Sequence, residues 1–198
     1  MEKIAVFLDY SNVHLVGHDL FANHFDRWTT HLSPRMVADR IRGARSNDSE
    51  LSKIFLYRGS PDRIRDPEAT RLFRGEKDRW GADELISATY LPMLYGAGRE
   101  KPKEAGVDVR LGLDFVKVAE AHNFETIVLF SGDCDLFPAV QDAVKTTTRV
   151  ELAAWTDGTG TPGNLLSHQA KRDFQLWTHR LTEDDFWDCQ GTQSPAAA

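Results

Sequence analysis

A run of branched and aromatic residues near the amino terminus, IAVFLDYSN, ends on Asp9, with Ser11 and Asn12 just beyond it. A second run, IVLFSGDCD, places Ser131, Asp133 and Asp135 at its end. Between the two, Gly106-Val107-Asp108 opens a helix-length segment that carries Asp114 further along. Carboxylates brought close together repel and raise one another's pKa. A hard divalent cation such as Mg²⁺ or Mn²⁺ removes that penalty, because carboxylate oxygens and water suit these ions. Converging aspartates of this kind read as a metal site. Nothing points to zinc instead: the seven histidines are scattered, and Cys134 and Cys189 stand far apart in no ligand spacing.

Each acid also has a local reading. Asp108 and Asp135 sit where helix N-caps sit, and Asp9 could simply end a strand. Asp114 falls about 120° around the helix from Asp108, at the edge of the apolar arc beside Val118. There it could pair with Arg110 or Lys117 on the surface.

For the acids to meet, the elements carrying them must be neighbours. Residues 4–8, 54–57, 126–130 and 149–153 read as buried strands, with 85–90 a weaker fifth. Helix-length segments fall between them. One starts after Leu32-Ser33-Pro34, where Ser33 suits an N-cap and Pro34 the first helical position. Others cover about 66–80, 109–122 and 136–146. Strands alternating with helices predict an α/β fold, a mostly parallel central sheet with helices on both faces. Ligands in such sheets sit outside the carboxyl ends of the strands. Adjacent strands lie about 5 Å apart, so acids at several tips share a small volume.

The 198 residues suit a single α/β domain over 1–190, with a helical extension from about 160 and a small, polar tail at 191–198 expected to be disordered. Residues 93–106 carry Gly96, Gly98, Gly106 and Pro102 and read as a loop into the third helix. In the carboxyl-terminal stretch Leu166, Phe174, Leu176, Trp177, Leu181, Phe186 and Trp187 alternate with charges. That pattern suits a helix closing the sheet, and exposed aromatics there could make a homodimer face. No apolar run reaches the roughly 20 residues that cross a bilayer, and MEKIAVFLDY enters a strand with no signal segment ahead of it. With only two cysteines, a reducing, cytoplasmic setting is expected. The net charge of −6 argues mildly against bulk electrostatic binding of nucleic acid, although acids neutralised by a divalent ion contribute to it.

Three segments, FLDYSNVH at 7–14, GVDVRLGLDFVKVA at 106–119 and VLFSGDCDLFPAV at 128–140, together resemble the NYN domain family, a branch of the PIN-like nucleases. The likeness covers roughly residues 3–155. It implies a Rossmann-like PIN fold and metal-dependent RNA cleavage leaving a 5′-phosphate. It carries over Asp9, Asp108, Asp133 and Asp135 as catalytic, metal-binding acids, with Asp114 at a further motif position. Asn12 would orient the first acid or contact substrate, and Ser131 would fix the loop or touch a phosphate. Two departures stand out. Ala105 occupies a position where the family often has Lys, so Lys101 or Lys103 would have to reach that phosphate, and Tyr10-Ser11 stands where glycine is common.

The reaction implied is hydrolysis of a phosphodiester, with one or two ions polarising the phosphate and lowering the pKa of a bound water. RNA approaching acids needs cations nearby. Residues 58–79 hold seven, Arg58, Arg63, Arg65, Arg71, Arg74, Lys77 and Arg79, against five acids, and Tyr10, Tyr90 and Tyr95 could stack on bases. Competing readings are a non-catalytic module that binds RNA or protein, and a haloacid-dehalogenase-type phosphomonoesterase. The latter wants a second Asp two residues after the first, where Ser11 stands. A nucleotide switch is disfavoured, since no GxxxxGK[ST] loop follows the first strand.

Overall fold

The computed structural model describes residues 1–96, 102–159 and 165–191. Its element order is β1 (Glu2–Asp9), α1 (Tyr10–Phe21), α2 (Pro34–Gly43), β2 (Ser49–Ser60), α3 (Pro67–Gly81), β3 (Ile86–Pro92), α4 (Val107–Ala121), β4 (Thr126–Phe130), α5 (Phe137–Ala143), β5 (Arg149–Trp155), α6 (Leu165–Phe174), β6 (Thr178–Leu181) and α7 (Glu183–Asp188). Short 3-10 turns occupy Arg27–Thr29 and Cys134–Leu136.

All six strands pair in parallel, in the order β3-β2-β1-β4-β5-β6. The chain winds outward one way from β1 and the other way from β4, which makes this a doubly wound, Rossmann-type sheet. Period-two alternation splits its central strands between two cores. Ile4, Val6, Leu8, Val128 and Phe130 face the side covered by α1, α2 and α7. Ala5, Phe7, Ile127 and Leu129 face α4, α5 and α6. Burial on both faces explains why these strands read as continuous apolar runs.

Several helices begin where the sequence supplies caps. Ser33 accepts from the Met36 amide with Pro34 in the first turn, and Asp66 caps α3 through the Ala69 amide. Helix α1 has no preceding break at all: Asp9, the last residue of β1, is itself the cap and accepts from the Asn12 amide. Trp155 then holds α1 on the sheet, donating its indole N–H to the Val13 carbonyl at 2.8 Å.

The carboxyl-terminal stretch departs from the helix expected for it. It forms helix, strand and helix, and β6 adds a sixth strand through pairs from Leu152↔Thr178 to Trp155↔Leu181. Its inward residues, His179 and Leu181, are buried while Arg180 between them is exposed. Four residues are too few for that alternation to stand out in sequence. Leu166, Leu181 and Phe186 are core, whereas Trp177 and Trp187 reach solvent. Of the expected loop at 93–106, residues 97–101 lie outside the described residues, and Leu94 and Lys103 on either side of them form an isolated antiparallel bridge. Lys101 and residues 192–198, most of the expected disordered tail, lie outside the described residues.

Helix α1 packs so closely that a Cβ at Gly17 would come within 2.8 Å of the Phe186 ring and 2.9 Å of the Trp155 indole nitrogen. Gly17→Val should therefore lower unfolding free energy in urea by about 1–3 kcal/mol. Gly75 on α3 faces open space, and Gly75→Ala should raise it by about 0.5–1 kcal/mol. Equal effects at the two positions would contradict this packing.

Candidate metal centre

The winding reverses between β1 and β4, and a crevice at the carboxyl ends of their strands is where such a sheet takes a ligand. Asp9 is the last residue of β1, level with Tyr57 of β2. Ser131 follows directly on the last residue of β4. The third contributor arrives from α4. Gly106 adopts φ 73°, a left-handed conformation that glycine supplies at little cost. It places Asp108 in the first turn of the helix.

Asp108, Asp133 and Asp135 meet there. Each offers a carboxylate oxygen, and the three lie within 4.8 Å of one another. Asp108 and Asp133 are half-buried and Asp135 is exposed, so the group opens to solvent on one side. The capping roles expected of Asp108 and Asp135 fall to other residues. Gly106 stands at the N-cap of α4 with no side-chain acceptor. Asp133 caps the 3-10 turn, its Oδ1 accepting from the Asp135 amide at 2.9 Å.

Asp9 is not one of the three, but it is tied to them. Its Oδ2 accepts from the Ser131 hydroxyl at 2.8 Å, and the same hydroxyl oxygen accepts from the Asp133 amide at 3.2 Å. Asn12 closes the brace: its Oδ1 accepts from the Gly132 amide at 2.7 Å, and its own amide donates to Asp9 at 3.4 Å. Ser131 is 1% exposed, so its hydroxyl fixes the loop and does not face incoming molecules. Burial pushes the Asp9 carboxyl up to about 7, with the Glu104 and Asp133 carboxylates adding to the rise, against the opposing bonds from Ser131 and Asn12.

Asp114 stays apart. Its Oδ2 accepts from the Tyr57 hydroxyl at 3.1 Å and from Arg110 at 2.8 Å, the surface pairing foreseen for it. Glu104 is the group that sequence reasoning missed. Its carboxylate accepts from the Ser11 hydroxyl at 2.6 Å and from the Gly59 amide, which joins the 102–106 segment to α1 and β2. Its one sequence signal is an acid two residues before the glycine that opens α4. Lys103 is exposed and held by backbone bonds to Leu94. Two residues considered for RNA contact are internal. Tyr10 is buried with its hydroxyl on the Leu32 carbonyl. Arg58 is ion-paired with Glu76, itself bonded to His31, and lies over the Tyr10 and Trp80 rings.

Comparison with known proteins agrees with this architecture. The sequence matches the model of the NYN domain over residues 3–174. No curated protein matches the chain. The fold is similar to the crystal structure of a protein of unknown function from Vibrio parahaemolyticus, with a TM-score of 0.54 and 15% sequence identity, covering 93% of this chain and 94% of that one. At that identity the likeness is one of fold.

A carboxyl whose folded pKa is raised contributes stability fully below its unfolded value and loses it as pH rises through the folded one. For Asp9 that window runs from 3.8 to about 7. In EDTA, Asp9→Asn should match the wild type near pH 4 and exceed its unfolding free energy near pH 8, by an amount on the order of 4 kcal/mol. A stability difference that does not change with pH would contradict the electrostatic account of this residue.

Proposed function

The chain belongs to the NYN domain family, within the PIN-like superfamily, and on that premise we propose that it is a ribonuclease that hydrolyses RNA phosphodiesters with the help of a divalent ion. The observation that carries this reading is the convergence of the Asp108, Asp133 and Asp135 carboxylates within 4.8 Å at the carboxyl end of the sheet. The donor set fits the group: all three are hard oxygen ligands, which suit Mg²⁺ or Mn²⁺. Bound there, such an ion would polarise the phosphate and supply a water of lowered pKa.

The chain's own residues have distinct tasks in this reading. Asp108, Asp133 and Asp135 hold the ion, and the exposed side at Asp135 admits the substrate. Asp9 stands beside Asp133, and Ser131 and Asn12 fix its carboxyl group so that β1 and the loop after β4 keep one geometry. Helix α4 starts at Gly106 without a side-chain acceptor. Its first amides and dipole thus favour an anion near Asp108, which suits a phosphate oxygen. Asp114, bonded to Tyr57 and Arg110, supports α4 and is not a ligand.

Two alternatives weaken against the same geometry. A phosphomonoesterase of the haloacid-dehalogenase type needs an acid two residues after Asp9, and that position is Ser11, whose hydroxyl is engaged by Glu104. A module that only binds RNA gives no reason for three carboxylates to crowd together. None of the described helices is long and apolar enough to cross a membrane, and a cytoplasmic site of action belongs to the same proposal.

Purified protein should cleave mixed single-stranded RNA in Mg²⁺ or Mn²⁺, stop in EDTA, and leave phosphomonoesters intact. Asp133→Asn should reduce cleavage by more than about a hundredfold, since even partners of a metal ligand cost up to that much, while circular dichroism stays unchanged. Undiminished cleavage by this variant, or cleavage that survives EDTA, would contradict the proposal. RNA binding without products under every metal condition would favour the binding module.

A further inference from the structure

Strands β2 and β3 do not stop level with the carboxylates. Asp9 pairs with Tyr57, and the two strands run on together through Arg58↔Tyr90, Gly59↔Leu91 and Ser60↔Pro92. Three further residues at about 3.3 Å each raise a wall of about 10 Å above the level of Asp9. The wall is joined to the metal centre. Leu94, just past β3, pairs with Lys103 in an isolated antiparallel bridge, Glu104 bonds to Gly59 and Ser11 at the foot of the wall, and Gly106 and Asp108 follow within the same segment.

The crest is built, not loose. The Asp62 carboxylate accepts from the amides of Ile64 at 2.8 Å and Arg65 at 2.9 Å. The Asp62 amide donates to the Tyr95 hydroxyl at 2.9 Å. The Arg65 guanidinium donates to the Tyr95 carbonyl at 3.1 Å and lies 5.7 Å from the centre of the Tyr95 ring. This turn presents Ile64 to solvent at 90% exposure, with Leu94 at 62% nearby. Arg63 beside Ile64 is exposed and makes no ion pair among the described residues.

A single exposed apolar residue is ordinary. An apolar tip fixed between two arginines and an arginine–tyrosine stack, on an otherwise acidic chain, is a narrower pattern. Its complement is a ligand with flat apolar faces and regularly spaced negative charge. Single-stranded nucleic acid offers both, as unpaired bases and phosphates, whereas a duplex hides the base faces. Two other cations of this region are engaged elsewhere: Arg58 is paired inside the fold, and Lys77 lies over Tyr90.

We propose that Arg63, Ile64, Arg65 and Tyr95 form a binding site for unpaired nucleotides of single-stranded RNA, beyond the wall that borders the carboxylates. This site rests on the ribonuclease reading for its supply of substrate, but it is tested separately. The side chains of Arg63 and Ile64 make no hydrogen bond in the described structure, so Arg63→Ala/Ile64→Ser should fold normally. In an Asp133→Asn background, fluorescence anisotropy with a single-stranded RNA of about 12 nucleotides should show affinity reduced about tenfold by the crest substitutions. Affinity for a duplex of the same length should move much less. In the otherwise native enzyme, the ratio of kcat/KM for that RNA to kcat/KM for bis(4-nitrophenyl) phosphate should fall by a similar factor, through KM. Unchanged single-strand affinity, or an equal loss for the duplex, would overturn the proposal and leave the crest as a surface facing protein. Should Asp133→Asn retain hydrolysis of both substrates, the ribonuclease reading fails while the anisotropy result still decides the crest.

Discussion

Like charges crowded at the switch point between β1 and β4 set the terms for everything around them. Three carboxylates lie within 4.8 Å, and a fourth, on Asp9, is buried beside them and resists ionisation. Such an arrangement lowers the stability of the metal-free fold, and strained, destabilised sites of this kind are retained where function needs them. The surroundings are organised to hold the acids in place despite the repulsion. Ser131 bonds to Asp9 and Asp133 at once, and Asn12 ties α1 to the loop after β4.

The positive charge that could have neutralised these acids is spent elsewhere. Arg110 is committed to Asp114, and Arg58 to Glu76 within an aromatic pocket. At the opposite end of the sheet, Arg45 is buried between Glu2 and Glu151. The acids of the site are therefore left without an arginine or lysine partner among the described residues. That contrast separates them from the buried carboxylates of Glu76 and Glu151, which are paired. In the proposed reading, a divalent ion held there would supply the charge that the fold withholds.

Much of this was legible in the sequence, for physical reasons. Strands buried on both faces produce apolar runs, so β1, β4 and β5 stand out, and their order predicts a parallel sheet with acids at its tips. Asp133 and Asp135 follow a strand end directly, and Asp108 follows a glycine whose left-handed φ marks a sharp turn. The misses have equally physical causes. Strand β6 is too short to show its period, and α1 begins without a break because a strand-tip acid doubles as its cap. Glu104 lies in a segment without periodicity, and its placement depends on a long-range bond to Gly59. Tyr10 and Arg58 have residue types suited to RNA contact, and only tertiary packing shows that they face inward.

The central claim is that Asp108, Asp133 and Asp135 hold a divalent ion, and crystals grown in Mn²⁺ test it most directly through anomalous scattering. The account predicts a strong anomalous peak within coordination distance of these three carboxylates, lost when Asp133 is replaced by Asn. An ordered, peak-free cluster in saturating Mn²⁺, or a peak that survives in the Asp133→Asn crystal with full occupancy, would contradict it.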